Sequence, residues 1–154
     1  MGHIVYSWED IERYTKELAR KIAMEELGET IWLMPIMNGG FIPSVLMSKE
    51  LNKQGIKHLQ GNIHMKSYDG RTKKDVIVEG YRIPFSVREP DTVILVDDVY
   101  DTGDTMKTAI SMMKILVRPN TNIYSVVITG KSDVSLDNYC YATTSDKWVV
   151  FPWE

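Results

Sequence analysis

Residues 93–105 read VILVDDVYDTGDT. The aliphatic run at 93–96 suits a strand buried on both faces, which reads as a continuous apolar stretch. Directly after it come Asp97, Asp98, Asp101 and Asp104, with Thr102, Gly103 and Thr105 among them. A strand running into a helix start offers backbone N–H groups, the positive end of a helix dipole and two hydroxyls, which together favour a phosphate monoester. Gly103 lets the backbone approach such a ligand closely. Asp97 and Asp98 precede this cradle, where carboxylates accept from vicinal sugar hydroxyls or hold Mg²⁺. Asp101 is placed to act near a reacting centre. A phosphate, a diol and a metal describe a phosphorylated ribose. The plainer alternative is a strand–loop–helix junction in which Asp101 or Thr102 only caps the helix. That accounts for one aspartate and leaves the adjacent pair unexplained.

The surrounding pattern predicts the elements that must hold this loop. Ser7 with Asp10 forms a capping-box signature, and Ile11, Tyr14, Leu18 and Ile22 follow at helical spacing, with closure expected near Gly28. Ile31 to Ile36 reads as a buried strand that Pro35 should interrupt or push to an edge. Asn38-Gly39-Gly40 is a turn, either a small anion nest or a plain Gly-Gly reversal. Pro43 then suits the first turn of a helix carrying Val45, Leu46 and Leu51. A strand from His58 to Tyr68, a polar segment from Asp69 to Asp75, and a return strand through Val76–Val78 and Tyr81–Ile83 come next. A helix from Met106 to Leu116 carries Ile110, Met113 and Leu116 or Val117 on one face, before a strand at Ile123–Ile128 and short strands near Tyr139–Tyr141 and Trp148–Val150. Alternating strands and helices argue for an α/β fold with a mostly parallel sheet covered on both faces. Ligands of such sheets bind at the carboxyl ends of the strands.

Composition narrows the function classes. A chain of 154 residues makes one domain, residues 1–154, with a full core. A net charge of −3 gives no electrostatic case for nucleic acid. Cys140 stands alone, which fits a reducing compartment, most simply the cytoplasm. The first residues lack an apolar signal core, and Tyr6 occupies the place where a myristoylation signal needs Ser or Thr. No run approaches the ~18 apolar residues of a membrane span. Gly130-Lys131-Ser132 imitates the end of a P-loop, but Ser125 replaces its first glycine and the residues between are strand-like. His3, His58 and His64 lack metal-ligand spacing, and the Met-rich stretches read as core.

Residues 93–105 closely resemble the phosphoribosyl-pyrophosphate (PRPP) motif of type I phosphoribosyltransferases: four aliphatics, two acids, two apolar positions and a phosphate loop. Tyr100 departs from that motif, which usually has an aliphatic residue there, and Asp104 falls at its variable position. The resemblance implies that Asp97 and Asp98 hold the ribose hydroxyls, and that Asp101, Thr102, Gly103, Asp104 and Thr105 surround the 5′-phosphate. Asp101 would also be the catalytic group, beside purine N7. MNGG (Met37–Gly40) sits where purine enzymes of the family bind pyrophosphate, which assigns Asn38, Gly39 and Gly40 to that role without the family's frequent Lys or Arg. KSYDG resembles the opening of the family's mobile lid, naming Lys66, Ser67 and Tyr68. ITGKSD places Lys131 where the 6-oxopurine branch reads the exocyclic oxygen; a solvated surface lysine is the alternative. DKWVVFPWE is similar to the end of xanthine–guanine enzymes. It implies that Trp148 stacks on the base, that the Val149 backbone reads its C2 edge, and that Glu154 joins Asp98 around Mg²⁺. Trp153 reads instead as a core anchor.

The fold so implied is a mostly parallel sheet flanked by helices, with a small hood from the chain ends and the lid loop. The activity implied is transfer of 5-phosphoribosyl from PRPP to a 6-oxopurine, with Mg²⁺ as cofactor, in a homodimer or homotetramer, without nucleic-acid or membrane partners. Two alternatives stand beside it: the same transfer to another base, or a non-catalytic PRPP-binding regulator. Endings of the adenine, orotate and pyrimidine branches do not resemble DKWVVFPWE. Regulators of this fold carry an added DNA-binding segment, for which this chain shows no basic patch.

Overall fold

The computed structural model of the chain describes residues 2–69 and 74–154. Its elements run β1 (His3–Val5), α1 (Trp8–Ala23), β2 (Ile31–Met37), α2 (Phe41–Lys53), β3 (Leu59–Gln60) and β4 (Asn62–Asp69). They continue with β5 (Lys74–Arg82), β6 (Thr92–Val99), α3 (Asp104–Leu116), β7 (Asn122–Gly130), β8 (Tyr139–Thr144) and β9 (Trp148–Val150). The main sheet has the order β5-β4-β2-β6-β7-β8, with β3 also paired to β2. Only the β4–β5 pairing in this sheet is antiparallel among the described residues. The aliphatic run of β6 therefore lies mid-sheet, between β2 and β7.

Both faces of that strand are covered, which explains why it does not alternate with polar residues. Ile94 and Val96 join Ile11, Leu18 and Ile22 of α1 and Met47 of α2 in one core layer. Val93 and Leu95 join Met106, Ala109 and Met113 of α3 in the other. Each fully buried Val, Leu, Ile or Met side chain of this kind contributes roughly 1.5–3 kcal/mol. The capping box is present: Ser7 Oγ accepts the Asp10 N–H at 3.1 Å, and Asp10 Oδ2 accepts the Ser7 N–H at 2.8 Å.

Several expectations need correction. α1 stops at Ala23 with Met24 as its C-cap, well before Gly28. Gly28 instead has φ +76° in the approach to β2, where a Cβ would stand 2.6 Å from the Asp91 side chain. α2 buries Ser44, Met47 and Leu51, while Val45 faces outward. Pro35 is neither a break in its strand nor at an edge of the sheet. It pairs in register with Val96 of β6, and on the other side of β2 it falls between the β3 partners (Trp32, Leu33) and the β4 partners (Ile36, Met37). A residue without an N–H is tolerated at such a gap. The gap exists because the strand expected from His58 to Tyr68 divides at Gly61, where a Cβ would meet the Arg82 carbonyl at 2.3 Å. β1, missed in the helical reading of the N-terminus, pairs in parallel with β9 through Ile4 and Val149 and builds the hood from the two chain ends.

No helix among the described residues is long and apolar enough to cross a membrane. The β4–β5 ladder continues to the pair Asp69 and Lys74, so the ends of the expected polar loop are strand. Residues 70–73, the middle of that lid, and the Tyr68 side chain lie outside the described residues.

Candidate functional site

Because β2, β6 and β7 are parallel neighbours, their carboxyl ends open on the same edge of the sheet. The Asn38–Gly40 turn, the loop at 100–103 and Lys131 follow those three ends. The Tyr100 N–H donates to the Thr129 carbonyl at 2.9 Å, which ties the phosphate loop to β7. Gly103 adopts φ +88° and is the N-cap of α3. It supplies no side-chain acceptor of its own, and among the described residues, of the first N–H groups of this 13-residue helix only that of Asp104 meets a side chain, the Thr102 hydroxyl. A Cβ at Gly103 would also stand 2.1 Å from the Tyr100 hydroxyl, which lies beneath it. Thr102 Oγ1 donates to Asp104 Oδ2 at 3.0 Å and accepts the Asp104 N–H at 3.3 Å. The Asp104 carboxylate thus turns onto Thr102. A cavity of about 220 Å³ is lined by Asp97, Asp98, Thr102 to Thr105 and, from β4, Ser67.

Asp97 and Asp98 end the buried part of β6 and are half-buried. The Asp98 N–H donates to Asp97 Oδ1 at 2.8 Å. Burial, then the adjacent Asp98 charge, pushes the Asp97 carboxyl well above the usual carboxylate range. Burial raises Asp98 too, and the Glu154 charge adds to it. A native pKa above the unfolded value means a penalty absent in strong acid. It sets in above about 3.8, the ordinary aspartate value, and is complete once pH passes the raised native value. Asp97→Asn is therefore expected to raise the melting temperature of the ligand-free protein at neutral pH, by roughly the 2–4 °C that 1 kcal/mol gives in a chain of this size. The gain should shrink as pH falls toward 3.8; a thermal melt series across pH checks both.

The glycines of the 38–40 turn are required by close approach. A Cβ on Gly39 would stand 2.5 Å from Asp98 Oδ2, and one on Gly40 would stand 2.1 Å from the Val96 carbonyl oxygen. The turn packs directly on the Asp98 carboxylate, and the Met37–Asn38 peptide is cis. The Gly40 N–H donates to the Ile36 carbonyl at 2.8 Å, so within the expected anion nest that group is already engaged.

A larger cleft of about 1020 Å³ gathers Asp98, Asp101, Lys131, Trp148, Val149 and Glu154, from positions far apart in the chain. Lys131 Nζ lies 3.4 Å from Asp101 Oδ1. Trp148 is 75 % exposed, its indole open to the cleft, while Val149 is buried under the hood. The hood is fixed to the sheet by the Tyr6 hydroxyl on Thr129 Oγ1 at 3.0 Å. Trp153 stacks on Phe151 with ring centroids 4.8 Å apart and anchors the terminus as expected. Among the described residues no three His, Cys, Asp or Glu side chains converge to hold a metal by themselves. Tyr139, which accepts the Lys131 N–H at 2.9 Å, was not visible in the sequence. Its contact depends on β8 lying beside β7.

A family model described as the Phosphoribosyl transferase domain matches residues 3–154. The xanthine-guanine phosphoribosyltransferase of Vibrio atlanticus is 26% identical over 150 residues, covering 97% of this chain and 88% of that protein. The crystal structure of the purine phosphoribosyltransferase from Pyrococcus horikoshii superposes with a TM-score of 0.76 at 28% identity, covering 100% of this chain and 95% of that one. The Helicobacter pylori xanthine-guanine-hypoxanthine enzyme shares the fold with a TM-score of 0.75 at 19% identity, covering 99% and 94% of the two chains. A match over nearly the whole chain, on a sheet whose loops gather at one edge as the sequence motif requires, means that this protein belongs to the phosphoribosyl transferase domain family.

Proposed function

We propose that the protein transfers the 5-phosphoribosyl group of PRPP to a 6-oxopurine (guanine, xanthine or hypoxanthine), giving the nucleoside 5′-monophosphate and pyrophosphate in purine salvage. The observation that carries this reading is the meeting of Lys131, Asp101 and Trp148 in one cleft beside the phosphate loop. The relatives and solved structures named above support it. The Thr102–Thr105 loop would receive the 5′-phosphate on backbone N–H groups and hydroxyls. Asp97 and Asp98 would accept from the ribose hydroxyls, and the Asn38–Gly40 turn would meet the pyrophosphate. Trp148 offers the base an open indole face, Lys131 donates to its 6-oxo group, and the Val149 backbone reads C2.

In the transfer the bond from ribose C1 to pyrophosphate breaks and a bond from C1 to a purine nitrogen forms. Positive charge develops on the ribose as pyrophosphate leaves. The Asp101 carboxylate stands where it can offset that charge or take the proton the purine sheds. Ser67 and the strand hairpin around it would cover the reacting groups and exclude water.

Asp98 and Glu154 suit a Mg²⁺ ion, which is commonly held by one or two carboxylates together with substrate phosphates. The mutual repulsion of their charges is what a divalent cation relieves. Bound there, it would neutralise the pyrophosphate. Exposed Phe85 and Val87 beside Ile83 and Tyr81 form an apolar surface that suits a homodimer or homotetramer, measurable as molecular mass in solution. The unpaired Cys140 fits the cytoplasm.

The test is nucleotide formation from PRPP and Mg²⁺ with guanine, xanthine, hypoxanthine, adenine, orotate and uracil offered separately. Turnover confined to 6-oxopurines supports the reading and ranks the three. Turnover with another base retains the PRPP site and overturns the base pocket. Tight PRPP binding without turnover makes the protein a sensor.

A further inference from the structure

Tyr139 opens β8, one strand beyond β7, and no sequence motif marks it. Its phenol oxygen accepts the Lys131 N–H at 2.9 Å, just where the chain leaves β7. The same oxygen bounds Gly130, where a Cβ would stand 2.1 Å from it. The exit of β7 is thus pressed against the phenol on two successive residues. Tyr139 is held in turn by Tyr100, edge to face with centroids 5.4 Å apart, and by Tyr141, also at 5.4 Å. Tyr100 is 6% exposed, and its hydroxyl lies under Gly103 of the phosphate loop. Two aromatic rings therefore connect the phosphate loop to the backbone of Lys131, the cleft lysine that meets Asp101. This gives the tyrosine at position 100 a structural reason, because an aliphatic side chain has no ring edge to present to Tyr139.

We propose that Tyr139 is a positioning residue for base recognition: its phenol oxygen holds the Lys131 backbone, Tyr100 braces it against the phosphate loop, and the Lys131 ammonium is thereby aimed at the base. The inference rests on the reading of Lys131 as the group that recognises the 6-oxo edge. A lysine is a point charge on a flexible four-carbon stem. Its aim depends on where its own Cα is fixed. Of the contacts at that Cα, the bond to Tyr139 reaches it from outside β7.

Tyr139→Phe keeps the ring and both aromatic contacts and removes only the acceptor. The KM for the preferred 6-oxopurine is expected to rise about fivefold, the worth of one ordinary hydrogen bond. The KM for PRPP should stay as in the unmodified protein, and the melting temperature should fall by no more than the roughly 2–4 °C that one hydrogen bond of about 1 kcal/mol represents. The deciding measurement is a double-mutant cycle with Lys131→Ala. If Tyr139 acts by aiming the ammonium, Tyr139→Phe changes the base KM no further once that ammonium is gone. An equal rise in both backgrounds, a parallel rise in the PRPP KM, or no rise at all would overturn the inference. Failure of the underlying reading looks different: Lys131→Ala alone would leave the base KM and base preference intact, and the inference would fall with it.

Discussion

Replacing Asp101 by alanine is expected to lower kcat by on the order of 10²-fold, the lower end of what a positioned acid–base group contributes, with little change in the KM for PRPP. The asymmetry follows from the geometry. The 5′-phosphate is offered the backbone at the start of α3 and the Thr102 and Thr105 hydroxyls, none of which depends on the Asp101 carboxylate. That carboxylate points instead across the larger cleft toward Lys131, at 3.4 Å, and is largely exposed while the cleft is open. In water its charge is screened. Covered by a base and a closed lid, the same charge would act at short range on a cationic ribose, where fixed charges are far more effective. The effect therefore belongs to the transition state and not to PRPP binding. Steady-state kinetics with PRPP varied at saturating base separates the two. A loss shared equally between kcat and the PRPP KM would remove Asp101 from the catalytic role.

The second large effect is expected for Lys131→Ala, in base preference. A hydrogen bond from a charged donor contributes about 1.5–3 kcal/mol, or roughly tenfold to a hundredfold. Because Lys131 is nearly half exposed, solvent screening puts the expected loss near the lower bound, about tenfold in the ratio of kcat/KM for guanine over adenine. Adenine presents an amino group at that position, so an ammonium there both favours the 6-oxo bases and rejects adenine. Stability should hardly change. The Lys131–Asp101 pair is a surface ion pair, and such pairs contribute about 0–1 kcal/mol. An unchanged preference for guanine-type bases would rule the assignment out. Since the two residues meet, Lys131→Ala also releases Asp101, and the double variant is expected to be non-additive in kcat.

Much of this site could be read from short stretches. The strand end, the aspartate pair, the hydroxyls and Gly103 lie within a few residues of one another, and their chemistry does not depend on distant packing. Trp153 and the buried methionines were likewise legible, because large apolar side chains have few other places to go. The failures share one cause. Pro35 reads as an edge residue until the gap at Gly61 is known. Val45 reads as core until the sheet shows which face of α2 it meets. Gly39 reads as a turn residue until Asp98 stands 2.5 Å from its missing Cβ. Tyr139 reads only as the start of a short strand until β8 lies beside β7 and its phenol meets the Lys131 backbone.

By itself the sequence determined the local chemistry: the Ser7–Asp10 capping box, which strands are too apolar to face water, and which loop collects carboxylates and hydroxyls. These rest on interactions spanning a few residues, so side-chain identity encodes them directly. The tertiary structure alone decided that β2, β6 and β7 are neighbours with their ends aligned, and that β1 and β9 join the chain ends over the cleft. Sheet order is held by backbone N–H and C=O groups, which are nearly the same on every residue and carry no label for their partner. Only the packing of α1 and α2 on one face and α3 on the other selects among the possible orders. It is this selection that brings Asp101, Lys131 and Trp148 to one cleft.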